Sequence, residues 1–195
     1  LCTHTNVLLS AEPGAGKTTR VPLALLNEPW LAGQKIIMLE PRRLAARNAA
    51  RFMAKQLNEQ TGETVGYRIR LEQKISATTR IEVVTEGILT RMLQDDPELS
   101  GVGLIIFDEF HERNLHSDLA LALAHQCQQL LRPELRLLVM SATLDTDSLG
   151  DKLQAPLLHS TGRSFKVKHH YRPLLNNNSR LAEHCASVIR EALNS

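Results

Sequence analysis

Two short stretches of this 195-residue chain concentrate residue types that could do chemistry together. The first is Ala11-Glu12-Pro13-Gly14-Ala15-Gly16-Lys17-Thr18-Thr19, directly after the apolar run Val7-Leu8-Leu9. Gly14 and Gly16 let a loop turn its amides inward, and the helix that follows adds the positive end of its dipole. Lys17 supplies a cation to the β- and γ-phosphates, and the Thr18 hydroxyl is available to Mg2+. Glu12, Pro13, Ala15 and Thr19 complete the nucleotide-binding stretch. Ala11 stands where the usual pattern begins with glycine, which is tolerable where no positive φ is needed. The second stretch is Asp108-Glu109-Phe110-His111, after Leu104-Ile105-Ile106-Phe107. A carboxylate at the end of a buried strand suits a hard divalent cation, so Asp108 is expected to hold Mg2+. Glu109 beside it is expected to join Thr18 and Asp108 at the metal and to orient and deprotonate the attacking water. ATP and Mg2+ are therefore the expected cofactors.

Positioning these groups requires strands that end at one edge. Val7–Leu9, Ile36–Leu39, Ile81–Val84, Leu104–Phe107 and Leu137–Met140 read as buried strands. Between them Ala46, Ala50, Met53 and Leu57, then Leu119, Leu123, Cys127 and Leu130, recur at helical spacing. Alternating strands and helices predict an α/β fold, a mainly parallel sheet with helices on both faces. Right-handed crossovers then gather the carboxyl ends of the strands, where ligands of such sheets bind. The C-terminal part reads differently. Phe165 to Tyr171 is expected to form one more strand, ended by Arg172-Pro173. Leu181, Cys185, Val188, Ile189 and Ala192 mark a last amphipathic helix. The expected division is one domain over residues 1–172, a linker over 173–179, and the start of a second domain over 180–195. A terminal helix docked on the first domain is the alternative.

Composition sets bounds. An apolar fraction of 43% supports a core, and a charged fraction of 23% is ordinary for a folded domain. The net charge of only +2 excludes a globally basic nucleic-acid binder. Any such surface must be local, and Arg42, Arg43, Arg47 and Arg51 are the candidates. Cys2, Cys127 and Cys185 are widely spaced and odd in number. They read as reduced thiols of a cytoplasmic protein, with Cys127 and Cys185 expected in the core. No apolar run approaches the roughly 20 residues of a membrane span, so no membrane partner is expected. The chain opens almost directly into a strand, which suggests a piece of a longer protein.

Further stretches fall into a known order. Pro41-Arg42-Arg43-Leu44-Ala45-Ala46, Thr85-Glu86-Gly87-Ile88-Leu89 and Ser141-Ala142-Thr143-Leu144 join the two already described. Together they resemble motifs I, Ia, Ib, II and III of superfamily 2 helicases of the DEAH/RHA group, over most of residues 7–145. Phe110 departs from the alanine of the group's name and is similar to the bacterial HrpB-type members, which carry DEFH. The resemblance implies the first RecA-like P-loop NTPase domain of a nucleic-acid-stimulated ATPase, an ATP-dependent RNA helicase. It implies Lys17, Asp108, Glu109 and His111 at the catalytic centre, and Ser141, Ala142 and Thr143 in coupling the γ-phosphate to the nucleic-acid face. It implies Arg42, Arg43, Thr85, Glu86 and Gly87 against the backbone of a single strand, RNA favoured, and Arg51 over the adenine. Motifs IV to VI belong to a second RecA-like domain in the same parent chain, and nothing after Thr143 resembles them. Two other readings remain open: a DNA-directed translocase, and a nucleotide-gated interaction module.

Overall fold

The computed structural model describes residues 1–112, 114–142, 146–161, 168–173 and 181–194. They fall in two compact units, Leu1–Gly162 and Arg163–Ser195. The first unit is built on an eight-stranded sheet. Its strands are β1 (Asn6–Ala11), β2 (Lys35–Leu39), β3 (Val65–Ile69), β4 (Glu72–Lys74), β5 (Ile81–Val84), β6 (Val102–Phe107), β7 (Arg136–Ser141) and β8 (Leu157–Ser160). Their order across the sheet is β4-β3-β5-β2-β6-β7-β1-β8, and every pairing is parallel except β3 with β4. The helices of this unit are α1 (Lys17–Leu25), α2 (Arg43–Gln56), α3 (Glu86–Asp95), α4 (Leu115–Leu130) and α5 (Thr146–Leu153).

The alternation of side chains along each strand divides the core in two. On one face Leu8, Ile37, Leu39, Ile105, Phe107, Leu137 and Val139 pack with Leu89 and Leu93 of α3 and with Ala120, Leu121, Ala124 and Cys127 of α4. On the other, Val7, Ile36, Met38, Leu104, Ile106, Leu138 and Met140 pack with Ala46, Ala50, Met53 and Ala54 of α2. Val21, Leu23 and Leu25 of α1 lean on this second cluster. Strands buried on both faces read as unbroken apolar runs, which is why all five central strands were visible without a structure. A polar link crosses the first face: Gln128 Nε2 donates to Asn6 Oδ1 at 2.7 Å and to Leu135 O at 2.6 Å, and Asn6 Nδ2 donates to Leu153 O at 2.8 Å.

Several expectations change. The helix α4 is present, but its buried stripe is Ser117, Ala120, Leu121, Ala124, Cys127 and Gln128, so Leu119 and Leu130 face outward. Small residues and a satisfied glutamine make the close contact, because they let α4 approach the sheet. Cys127 is buried as expected, but Cys185 is exposed on α6 (Leu181–Leu193), which buries none of its residues. The strands β3, β4 and β8 were not anticipated; β4 and β8 are short, polar or exposed edges. Of the strand expected over 165–171, residues 165–167 lie outside the described residues, and 168–171 form no strand. Of the expected linker, only Pro173 is described. No described helix is long and apolar enough to cross a membrane.

Candidate nucleotide and strand-binding site

Parallel register brings the carboxyl ends of five neighbouring strands into one row. Leu39 lies opposite both Val84 and Phe107, Phe107 opposite Val139, and Ser10 opposite Ser141. The residues that follow are therefore ranked along the edge as Thr85, Glu40, Asp108, Ser141 and Glu12. The stretches read from the sequence stand side by side, although well over a hundred residues separate Glu12 from Ser141.

The loop after β1 has left-handed backbone at Gly14 (φ 79°) and Gly16 (φ 83°), a region that L side chains rarely adopt. Ala15 N donates to Glu12 O at 3.2 Å, closing the turn, and Gly16 caps α1 without a side chain. Glu12, Pro13, Gly14 and Ala15 are exposed, while Thr18 and Thr19 are half-buried. Lys17 is buried, and its ammonium donates to Ala11 O at 2.6 Å and approaches Glu12 O at 3.4 Å. A buried cation needs such partners, and the loop's own carbonyls stand where phosphate oxygens would serve better.

Asp108 is 2% exposed. Its Oδ1 accepts from Glu109 N at 2.9 Å, while the buried Oδ2 makes no hydrogen bond. Burial pushes the carboxyl up to about 6; the Thr18 hydroxyl, the Glu109 amide and the Lys17 ammonium pull it down, and the Glu109 carboxylate adds to the rise. An orphaned, desolvated oxygen beside a threonine hydroxyl fits a hard cation that is shared with phosphates. Glu109 sits at φ 48°, left-handed and uncommon for a non-glycine residue. Its Oε2 is 3.3 Å from His111 Nδ1, within ion-pair reach but not aligned for a hydrogen bond. Phe110 is buried edge-on against Phe107 with ring centroids 6.4 Å apart, so the group between Glu109 and His111 anchors this turn to the core. Ser141 ends β7 fully buried and Ala142 is half-buried; Thr143 lies outside the described residues.

Residues 1–151 match the DEAD/DEAH box helicase family. The chain belongs to this family. Among helicases similar to it, the ATP-dependent RNA helicase HrpB of Escherichia coli (strain K12) is 62% identical over 169 residues, 86% of this chain and 21% of that protein. The DExH-box ATP-dependent RNA helicase DExH1 of Arabidopsis thaliana is 38% identical over 166 residues, 83% of this chain and 17% of that one. A crystal structure of Escherichia coli DEAH/RHA helicase HrpB superposes with a TM-score of 0.87 at 55% identity, covering 98% of this chain and 24% of that chain. The chain thus spans about a quarter or less of the length of these helicases. The fold is the RecA-like helicase domain, and the helicase family to which the chain belongs uses ATP.

The second half of the helicase edge carries the residues expected to meet a strand. Arg42 is exposed and its Nη2 lies 2.8 Å from Glu112 Oε1. Arg43 opens α2 and donates to Arg70 O at 3.1 Å, at the tip of the β3–β4 hairpin. Leu71 follows at φ 67° and is 94% exposed. Arg47 Nη1 lies 3.4 Å from Glu72, which also accepts a short hydrogen bond from the Tyr67 hydroxyl. Arg51 is exposed on α2, and its charge acts on the same Tyr67 and Glu72. Thr85 precedes α3, and Gly87 lies beside open space. The Glu86 side chain is instead turned inward, where Ser117 Oγ of α4 donates to its Oε1 at 2.5 Å.

Reading the sequence missed Glu40 and the hairpin. Glu40 ends β2, buried, and its carboxyl is pushed up to about 8 by burial, with Asp108, Glu109 and Glu112 adding and Arg42 opposing. Its position next to Arg42 at a strand end was the available signal. In the hairpin, β3 did carry a signal, Val65, Tyr67 and Ile69 at strand spacing, whereas β4 is three polar residues and carried none.

Proposed function

We propose that this chain is the ATP-binding RecA-like domain of an RNA-stimulated helicase motor. The row of strand ends carries the reading: a phosphate loop and a metal-ready aspartate at one side, and an arginine-rich surface at the other, on one rigid sheet edge. The two similar proteins named above as ATP-dependent RNA helicases support it.

Lys17 would leave Ala11 O and Glu12 O for the phosphates, and the amides of Gly14 to Lys17 would line them. Thr18 and Asp108 would hold Mg2+, which supplies neutralisation of phosphate charge when bound. Glu109 would accept the proton of the attacking water, with His111 steadying its carboxylate. Ser141 and Ala142, between the aspartate and the loop, would report the loss of the γ-phosphate to the sheet edge, with Thr143. Arg42, Arg43 and the α3 start at Thr85 and Gly87 would take strand phosphates, a contact without base information and sensitive to salt. Arg70, beside Arg43, extends this surface.

The test is ATP turnover by the full-length protein without polymer, with single-stranded RNA and with matched DNA. Stimulation by RNA above DNA is expected. Equal stimulation would replace the reading with a backbone-reading translocase, and nucleotide binding without stimulation would replace it with a nucleotide-gated interaction module.

A further inference from the structure

Arg42 has the job of meeting a strand phosphate in the reading above, yet it already has an anionic partner. Its guanidinium lies 2.8 Å from Glu112 Oε1. The pair joins two elements that are seventy residues apart in sequence, the start of α2 and the 3-10 turn Phe110–Glu112. That turn begins where Glu109 holds its left-handed conformation, and Glu112 N donates back to Glu109 O at 3.0 Å. Arg42 is 72% exposed and Glu112 32%, so one end of the pair is open to an incoming anion while the other is seated in the turn.

A carboxylate and a phosphate offer a guanidinium the same two-oxygen face. An exposed pair is weak, because water and salt screen it. A strand brings several phosphates at once and releases counterions as they are neutralised. The two anions therefore compete for one fork, and the strand is the stronger competitor.

We propose that Glu112 is a positioning residue that occupies Arg42 in place of a strand phosphate, so that strand binding displaces it and frees the turn that carries Glu109. This rests on the RNA-dependent reading above. It gives Glu112 a role at the boundary of two motifs, as a stand-in for the polymer rather than a ligand of nucleotide. A purely structural clamp makes the opposite prediction. If the pair merely held Arg42 in place, losing Glu112 would disorder the arginine and weaken strand binding.

The experiment uses the full-length protein and a fluorescent single-stranded oligouridylate, reading the dissociation constant by anisotropy and ATP turnover with and without the oligomer. Glu112→Gln is expected to tighten RNA binding by about two- to five-fold, the worth of an exposed ion pair. It is also expected to raise RNA-free turnover, so that the fold-stimulation by RNA shrinks. Arg42→Ala should weaken binding, and adding Glu112→Gln to it should change the dissociation constant no further. Unchanged or weaker binding by Glu112→Gln, with an unaltered melting temperature, overturns the proposal while leaving the RNA-dependent reading in place. An equal tightening in the Arg42→Ala background also overturns it. A parent protein that neither binds the oligomer nor responds to it overturns both.

Discussion

At the scale of single residues, the candidate site is marked by groups that are unsatisfied or strained in the fold. Asp108 keeps a buried oxygen without a hydrogen bond, Lys17 settles for loop carbonyls, and Glu109 holds a left-handed backbone. Replacing Glu109 with Gln preserves shape and removes the base, so turnover by the full-length protein should fall by about 10²- to 10⁴-fold with nucleotide affinity kept. Equal loss of affinity in a nucleotide titration would assign Glu109 to binding instead. Glu40 makes a prediction about pH. Its carboxyl titrates near 4.5 in an unfolded chain and near 8 in the fold. The folded state thus binds the proton more tightly, and stability is lost as pH rises through that window. Glu40→Gln abolishes the loss, so its melting temperature relative to the unaltered protein should climb from about pH 5 to about pH 8. A constant difference would show that Glu40 stays ionised. Of these residues Lys17, Asp108 and Glu109 were legible because their chemistry follows an apolar strand. Glu40 was not, since only the neighbouring strands show that it is buried among other carboxyls.

At the scale of elements, α3 and α4 are joined by Ser117 and Glu86, and α2 is joined to the β3–β4 hairpin by Arg43 and Arg47. The hairpin depends on close approach at Gly66 in β3. A Cβ there would run into the carbonyl oxygen of Lys74, which is backbone and cannot turn away. Gly66→Ala should therefore destabilise the fold by roughly 1–3 kcal/mol, as overpacking does, and loosen the Arg43–Arg70 surface. Denaturant unfolding with an RNA titration checks both; unchanged stability would show that the hairpin shifts freely. Glu86 illustrates where local reading stops. A glutamate opening a helix after a strand suits the helix dipole and an exposed edge equally. Only the packing of α4 shows its carboxylate turned inward. The buried stripe of α4 was read only in part, at Cys127, for a related reason: beside Leu121 and Cys127 its contacts are two alanines, a serine and a glutamine, which blur the hydrophobic periodicity.

At the scale of the whole molecule, the proposed function makes this sheet edge one part of a motor. The second RecA-like domain that the resemblance implies is expected to supply arginines that complete the γ-phosphate site. Such arginines contribute about 10³–10⁵ in turnover in other phosphoryl-transfer systems. The 195-residue chain should therefore bind Mg·ATP, shift its melting temperature with it, and hydrolyse it far more slowly than the full-length protein. Rapid turnover by the 195-residue chain, abolished by Glu109→Gln, would overturn that division of labour. EDTA should remove most of the ATP-induced thermal shift, because Asp108 then faces phosphate without the cation between them.

The sequence by itself determined the α/β class, the five central strands and the phosphate and carboxylate stretches. Continuous apolar runs and glycine-rich turns are local properties, written in neighbouring residues. Tertiary structure alone decided the pairings that span the chain: Arg42 with Glu112, Glu86 with Ser117, and Glu40 among Asp108, Glu109 and Glu112. A side chain's charge and hydrogen bonds depend on what the fold brings beside it, and here that is set by parallel register between strands far apart in sequence.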